Sequence, residues 1–429
     1  MKFAPLIGIT AILAACQTTT PARPTDSLDR IARDYVLLSL TIGEKEEGYI
    51  DAYYGPIGLQ ARAKIDAANF ALPELAKQTA LLSARVAALR PVEINARRAA
   101  FLAAQLTAAR TRLRMMAGEK LSFAEEAKGL FGVTPAIMPL ASYDPILARI
   151  ETLVPGPGPL SSRVDAFQDR FTIPAARLKP VFDAAIAECK ARTLRHIALP
   201  KGERFDMAFV TGKSWSGYNY YLGASTSRIE INTDLPIRIG RAVDLGCHEG
   251  YPGHHVLNAL LEERLVKGKR WIEFSVYPLY SPQSLIAEGS ANFGIDLAFP
   301  GPERLAYETR VLYPLAGIPT ADASRYAGLQ DAMKALAGAR FTIARDYLEG
   351  RIDEAAAVRL TQRYQLVSEA RAKQSIAFTK QYRSYVINYG LGQEMVRADV
   401  ERAGPSQEAR WKRMEQLLSE PTLPSDLQK

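Results

Sequence analysis

The sequence predicts a mainly α protein carrying one small antiparallel β-sheet. Three observations lead there. Runs rich in Ala, Leu and Arg, all strong helix formers, recur in both halves of the chain. Apolar residues return at helical spacing within them. Strand-like alternation is concentrated in one stretch, residues 205–233.

The first element is residues 1–15, MKFAPLIGITAILAA. Lys2 supplies a positive n-region, Leu6 to Leu13 an apolar core, and Ala14-Ala15 the small residues ahead of Cys16. This pattern predicts a secretory signal, too short to span a bilayer. Leu13-Ala14-Ala15-Cys16 resembles a bacterial lipoprotein box, which implies lipidation at Cys16 and a membrane tether rather than a span. Residues 16–26 then serve as the lipidated start and polar linker. Gln17 after the cysteine resembles the outer-membrane sorting class, so the expected address is the periplasmic face of the outer membrane.

Residues 27–153 form an N-terminal helical region. Leu28, Ile31, Tyr35 and Leu38 make an apolar stripe. Glu74 to Arg90 and Glu93 to Met116 are helical runs, and Ser122 with Glu125 fits a capping box. VPGPGPLSS, residues 154–162, alternates proline with glycine and predicts a seam. Residues 163–429 follow. Helical pattern runs from Arg163 to His196, the strand signal from Phe205 to Thr233, and further helices from Ala323 to Tyr347 and Asp353 to Phe378.

The chain has 429 residues, 48% of them apolar, and a formal charge of +8, which suits a protein with a large core. Lysines and arginines are interspersed with acids and make no basic run, which argues against nucleic-acid binding. Beyond Cys16 only Cys189 and Cys247 remain. Two cysteines make no disulfide framework; because Cys247 abuts His248, a buried thiol is favoured over a single bridge.

The chemistry concentrates in GCHEGYPGHHV, residues 246–256. Three of the four histidines, His248, His254 and His255, stand here, with Glu249 beside the first. The fourth, His196, reads as a surface residue near a helix end. A hydrolytic zinc site needs imidazoles, a further ligand that is often a carboxylate, and an open position. A straight helix cannot supply them here. Six residues turn about 600°, leaving His254 roughly 120° from alignment with His248, and seven residues carry His255 about 10 Å along the axis. Pro252 breaks a helix and Gly253 tolerates unusual backbone angles. Together they can loop out two or three residues and return the second histidine, whether His254 or His255, to the first. AEGSANFGIDL, residues 287–297, offers Glu288 as the acid ligand, with Asn292 and Asp296 on its helical face as groups that could orient the ligands. Glu262, Glu263 and Glu273 compete on proximity only.

CHEGYPGHHV also resembles the His-Glu-x-x-Pro-Gly-His-His signature of a large bacterial family of domains of unknown function, grouped with the glutamate-zincin metallopeptidases. AEGSANFGIDL resembles that family's Glu-Gly helix, although Ser290 stands where a tryptophan is common. SYVINYGLGQ, residues 384–393, resembles its Tyr/Gly segment, and EGYIDAYYGP resembles its helical start. The resemblance implies a helical metallopeptidase-like architecture that binds Zn2+, with His248, one of the next two histidines and Glu288 as ligands and Glu249 as base. The Gly253-His254 step resembles the close of shorter zinc-helix motifs. That selects His254 by a two-residue bulge and puts His255 behind the site.

The residue types suggest a mechanism. Zinc lowers the pKa of its water toward 7, Glu249 shuttles the proton, and Tyr385 or Tyr389 donates to the oxyanion unless both are core aromatics. The strand Arg228 to Asn232 either pairs with an extended peptide substrate or is a structural hairpin. Two other classes stay open: a non-peptidase amide or ester hydrolase, and a lipoprotein binding module with a structural metal. Glu249 speaks against the second, since a structural metal needs no base.

Overall fold

The computed structural model describes residue 1, residues 26–89 and residues 93–428. The signal and Cys16 expectations lie outside the described residues. The chain is mainly helical, with two small sheets.

Local sequence sets the helices much as expected. Leu28–Gly43 is capped by the Ser27 side chain and buries Leu28, Ile31, Tyr35 and Leu38. Glu93–Met116 has the expected bounds. Phe123–Phe131 carries the Ser122/Glu125 capping box and stops at Gly132 in the left-handed conformation, a pairing of signals worth about 1 kcal/mol at the N-cap alone. Three long helical expectations are each split in two. Arg163 to His196 is Leu160–Asp169 and Leu178–Thr193; Ala323 to Tyr347 is Ala323–Lys334 and Ala339–Leu348; Asp353 to Phe378 is Glu354–Gln365 and Glu369–Tyr382. In the last case Leu366 turns left-handed and Ser368 caps a new helix. A local cap at Ser368 wins over continuous propensity. Residues 154–159 link two helices.

The strands are β1 (Ile50–Tyr53), β2 (Arg204–Val210), β3 (Gly217–Gly223), β4 (Thr226–Asn232) and β5 (Val276–Pro278). β3 and β4 form an antiparallel hairpin, and β2 adds parallel to β4 in the order β2-β4-β3. The hairpin reading of Arg228 to Asn232 is thus the one observed. β4 is central, with neighbours on both sides, so it has no free edge for a peptide. The hairpin turn uses Ala224 and Ser225, both at positive φ, and Glu262 accepts hydrogen bonds from both their N–H groups.

β1 corrects an expectation. EGYIDAYYGP was expected to begin a helix, but Ile50–Tyr53 pairs antiparallel with β5. Alternating Ile50/Ala52 and Asp51/Tyr53 suit a strand once a partner edge is present. That partner lies more than 220 residues away in the chain, beyond the reach of local pattern.

One hydrophobic core runs from Leu28 to Leu427. Polar links tie the N-terminal helices to the later ones. Arg98 pairs with the fully buried Glu273. Glu126 accepts from Arg383 Nε at 2.8 Å and from the Ser384 backbone N–H at 3.0 Å. Arg383 sits at φ 54°, a strained position for a non-glycine residue, and the Glu126 contacts hold it.

The cysteines overturn the thiol expectation: Cys189 and Cys247 form a disulfide, both fully buried. The packing of the helix Leu178–Thr193 against residues 240–250 brings them together. Chain-entropy arithmetic for the 58-residue separation gives about 4 kcal/mol, and measured bridges typically give ~2–4. The double variant Cys189→Ala/Cys247→Ala should therefore unfold at a lower denaturant midpoint than the oxidised protein. Reductant should shift the wild type but not the variant. Identical midpoints in all four conditions would refute the bridge.

Candidate metal centre

The helix Gly240–Leu245 runs into a widened turn, Gly246–Gly250, in which each hydrogen bond spans five residues. The chain then extends at Tyr251, passes a cis Tyr251–Pro252 bond, and restarts as the helix His254–Leu261. Gly253 is required by space. A Cβ there would lie 1.7 Å from the His248 carbonyl oxygen. Its N–H bonds the Cys247 carbonyl at 3.0 Å. The Pro-Gly step folds the chain back onto the turn that carries His248.

The result is a cluster of three side chains. His248 Nε2 and His254 Nε2 are 3.1 Å apart. Glu288 Oε2 lies 3.2 Å from His248 Nε2, and Glu288 Oε1 lies 3.8 Å from His254 Nε2. Ligands about 2 Å from a tetrahedral metal stand roughly 3.3 Å from one another, so these separations fit one ion. His248, His254 and Glu288 form the group that could hold it.

Hydrogen bonding strengthens the fit. Asn292 donates Nδ2 to the Tyr389 carbonyl at 3.2 Å, which turns its Oδ1 toward His248 Nδ1 at 3.1 Å. His248 must therefore carry its proton on Nδ1 and direct the Nε2 lone pair at its neighbours. Glu288 Oε1 accepts from the Tyr385 hydroxyl at 2.8 Å. Glu288 Oε2 is buried and accepts no hydrogen bond among the described residues. Lone pairs facing one another in a buried pocket need a cation or a proton between them. Without a metal, burial opposes charge on His248, but Glu249 and Glu288 still raise its pKa, while burial pushes His254 down to about 4.

Glu249 is buried, with Oε1 4.0 Å from His248 Nε2. Burial pushes its carboxyl up to about 7; the charge of His248 opposes this and that of Glu288 adds to it. It faces a cavity of about 510 Å³ that also reaches His254, Glu288 and Tyr389. The Tyr389 ring lies nearly parallel to His248, with centroids 6.4 Å apart.

Two expected residues stand elsewhere. His255 does not join the cluster: its Nδ1 meets Ser227 Oγ at 2.8 Å and its Nε2 meets Glu203 Oε2 at 2.9 Å. One residue further along the helix, its ring points away from His248 into the sheet side. Asp296 is engaged by Gln393, Arg397 and Lys334, not by a histidine; two turns beyond Glu288 it has moved too far along the helix to reach the ligands. Tyr385 donates its hydroxyl to Glu288. The competing acids are committed too, Glu262 to the hairpin turn and Glu273 to Arg98. His196 is exposed, beyond the end of its helix, and stacks on Trp411.

Several cavity residues carried no signal of their own. Asp51 on β1 reaches the cavity and accepts from Tyr218 on β3; burial pushes its carboxyl up to about 7. Arg241, Arg340 and Arg371 line it as well. Asp51 lay inside the quoted EGYIDAYYGP segment, but only the β1–β5 pairing shows where it points.

No protein-family model matches the chain, and no curated protein matches it. Solved structures do. The fold is that of a candidate lipoprotein from Colwellia psychrerythraea, with 13% identity and a TM-score of 0.51 over 82% of this chain; the chain spans 65% of that protein's length. Looser likenesses are to BsuCP, at 12% identity and a TM-score of 0.40 over 94% of this chain and 89% of the other. A further one is the M32 carboxypeptidase from Deinococcus radiodurans R1, at 14% identity and a TM-score of 0.36 over 91% and 88%. At such identities a shared helical arrangement speaks of fold alone.

Two predictions follow from the geometry. Glu288→Ala and His254→Ala should each abolish stoichiometric zinc in metal analysis, whereas Glu262→Ala and His255→Ala should bind it. Zinc lost from His255→Ala but kept by His254→Ala would reverse the assignment. Because, against the opposing effect of burial, the charges of Glu249 and Glu288 raise His248, protons compete for its Nε2 as the pH falls. Apparent zinc affinity should therefore weaken by about tenfold or more from pH 7.5 to 5.5; a flat profile would exclude histidine ligation.

Proposed function

We propose that this protein is a zinc-dependent hydrolase, a metallopeptidase that cleaves peptide bonds in the bacterial cell envelope. The observation that carries the reading is the three-atom cluster of His248 Nε2, His254 Nε2 and the orphaned Glu288 Oε2, placed beside a buried carboxyl in an open cavity. The resemblance of HEGYPGHH to the glutamate-zincin-related signature supports the same reaction class.

A zinc ion held there would act as a Lewis acid on a substrate carbonyl and lower the pKa of a water toward 7. The chain's own residues do the rest. Glu249 accepts the proton of the attacking water and delivers it to the departing nitrogen, a task suited to a buried carboxyl that faces the cavity beside the cluster. Asn292 fixes the His248 tautomer and Tyr385 fixes Glu288. Tyr389, whose side chain lines the cavity, would donate its hydroxyl to the carbonyl oxygen as charge develops. β3, an edge strand whose residues Gly217 to Asn219 line the cavity, offers a rail for an extended peptide.

The envelope address rests on the signal and on Cys16, and the buried disulfide suits an oxidising compartment. No helix among the described residues is long and apolar enough to cross a membrane. Cys16→Ser should release the protein from membranes into the soluble envelope fraction; unchanged membrane association would refute the lipid anchor.

The test of function is digestion of a peptide library with and without chelator, alongside Glu249→Gln. That variant should hold zinc at wild-type stoichiometry and lose about 10²–10⁴ in turnover. Full activity in Glu249→Gln, or in chelated protein, would overturn the scheme.

A further inference from the structure

Among the described residues, one of the cations lining the cavity has no protein acceptor. Arg340 lies at the start of the helix Ala339–Leu348. Every other cation on the cavity wall has a protein partner. Arg304 pairs with Asp244 and Glu308, Arg241 with Asp244, and Lys334 with Asp296. Arg371 donates to the Pro236 carbonyl. Among the described residues Arg340 makes no ion pair, and its Nε is buried with no acceptor. What surrounds it is aromatic: its guanidinium carbon lies 5.3 Å from the Phe378 ring centre and 5.7 Å from that of Tyr389.

A guanidinium presents five donors and stays charged, so leaving it unpaired in a desolvated wall is costly. The rings return part of that cost through their π faces but accept no in-plane hydrogen bond. The negative charge nearest in effect is Glu288. That carboxylate already serves the cluster with His248 and His254, and a cation bound there would offset its charge. The cavity then holds an uncompensated positive group, a planar fork of donors, beside the Tyr389 and Phe378 rings. A fork of this geometry matches a carboxylate.

We infer that Arg340 is a substrate-binding residue, and that the substrate carries a free carboxylate which the Arg340 fork receives while Phe378 and Tyr389 pack its neighbouring apolar part. This rests on the hydrolase reading. Two sources supply such a group, the α-carboxylate of a terminal residue and the side chain of an internal Asp or Glu.

The experiment compares three matched peptides with the full-length zinc-loaded protein: free acid at the C-terminus, the C-terminal amide, and a free acid with Glu and Asp replaced by Gln and Asn. One replacement should lower kcat/KM by about 100-fold. Loss with the amide identifies the α-carboxylate; loss with the Gln/Asn peptide identifies the side chain. Arg340→Gln should no longer distinguish acid from amide in the sensitive pair, and Arg340→Lys should distinguish them weakly. Equal rates on all three peptides, or undiminished discrimination in Arg340→Gln, would overturn the inference.

A second measurement needs no turnover. Calorimetry on the zinc-loaded Glu249→Gln protein should detect N-benzoylglycine but not its amide, and adding Arg340→Gln should lose that binding while zinc is still taken up at wild-type stoichiometry. Equal binding of acid and amide, or acid binding retained in Arg340→Gln, counts against Arg340 whatever the protein hydrolyses. Acid binding that depends on Arg340, in a protein with no chelator-sensitive hydrolysis, would support the carboxylate site and defeat the peptidase reading.

Discussion

The site depends on the contact of Gly253 with the turn that carries His248. The Gly253 N–H bonds the Cys247 carbonyl, and its α-carbon lies so close to the His248 carbonyl that no side chain fits. This contact converts a six-residue spacing, unusable on a regular helix, into two imidazole nitrogens 3.1 Å apart. Larger residues at 253 would push the His254 helix away, and the cluster would open.

Each part of the cluster is then held from behind. The Cys189–Cys247 bridge fixes the residue before His248 to a neighbouring helix. His255, directly after His254, is clamped between Ser227 of β4 and Glu203; Glu203 also accepts from Tyr251 and pairs with Lys190. Glu288 is set by the approach of its helix, Pro282–Ala298, to the helix Ile387–Arg402. A Cβ on Gly289 would lie 2.4 Å from the Gly392 carbonyl oxygen, so the two backbones meet directly. That approach delivers the Tyr385 hydroxyl and the Tyr389 carbonyl to Glu288 and Asn292. Glu126, from the N-terminal region, anchors Ser384 one residue before Tyr385.

The electrostatics follow from burial. Glu249 and Glu288 are both buried beside His248, so their charges raise its pKa and repel each other. A divalent ion at the cluster would relieve both effects. Arg340 stands outside this balance, which is why its missing partner is informative: among the described residues the other cations around the cavity each have an acid or, for Arg371, a backbone carbonyl, and Arg340 has neither.

The sequence by itself determined what nearest neighbours along the chain decide. The capping box at Ser122, the apolar stripe from Leu28 and the run Glu93–Met116 are local, and each is found as read. The return of one of the next two histidines to His248 was legible because the Pro-Gly step between them is the local cause of the fold-back, with His254 preferred over His255 by resemblance, and Glu288 with Asn292 because helical spacing puts them on one face. Contacts between distant segments were decided only by the tertiary structure. Two cysteines 58 residues apart carry no mark of pairing. Ile50 to Tyr53 become a strand only where Val276 to Pro278 offers an edge. His255 and Asp296 lie at spacings that could have served the site, yet the packing of their helices turns them to Glu203 and to Arg397. Asp51 and Arg340 are single residues on remote elements, and a cavity is a property of how elements pack, which no one-dimensional pattern records.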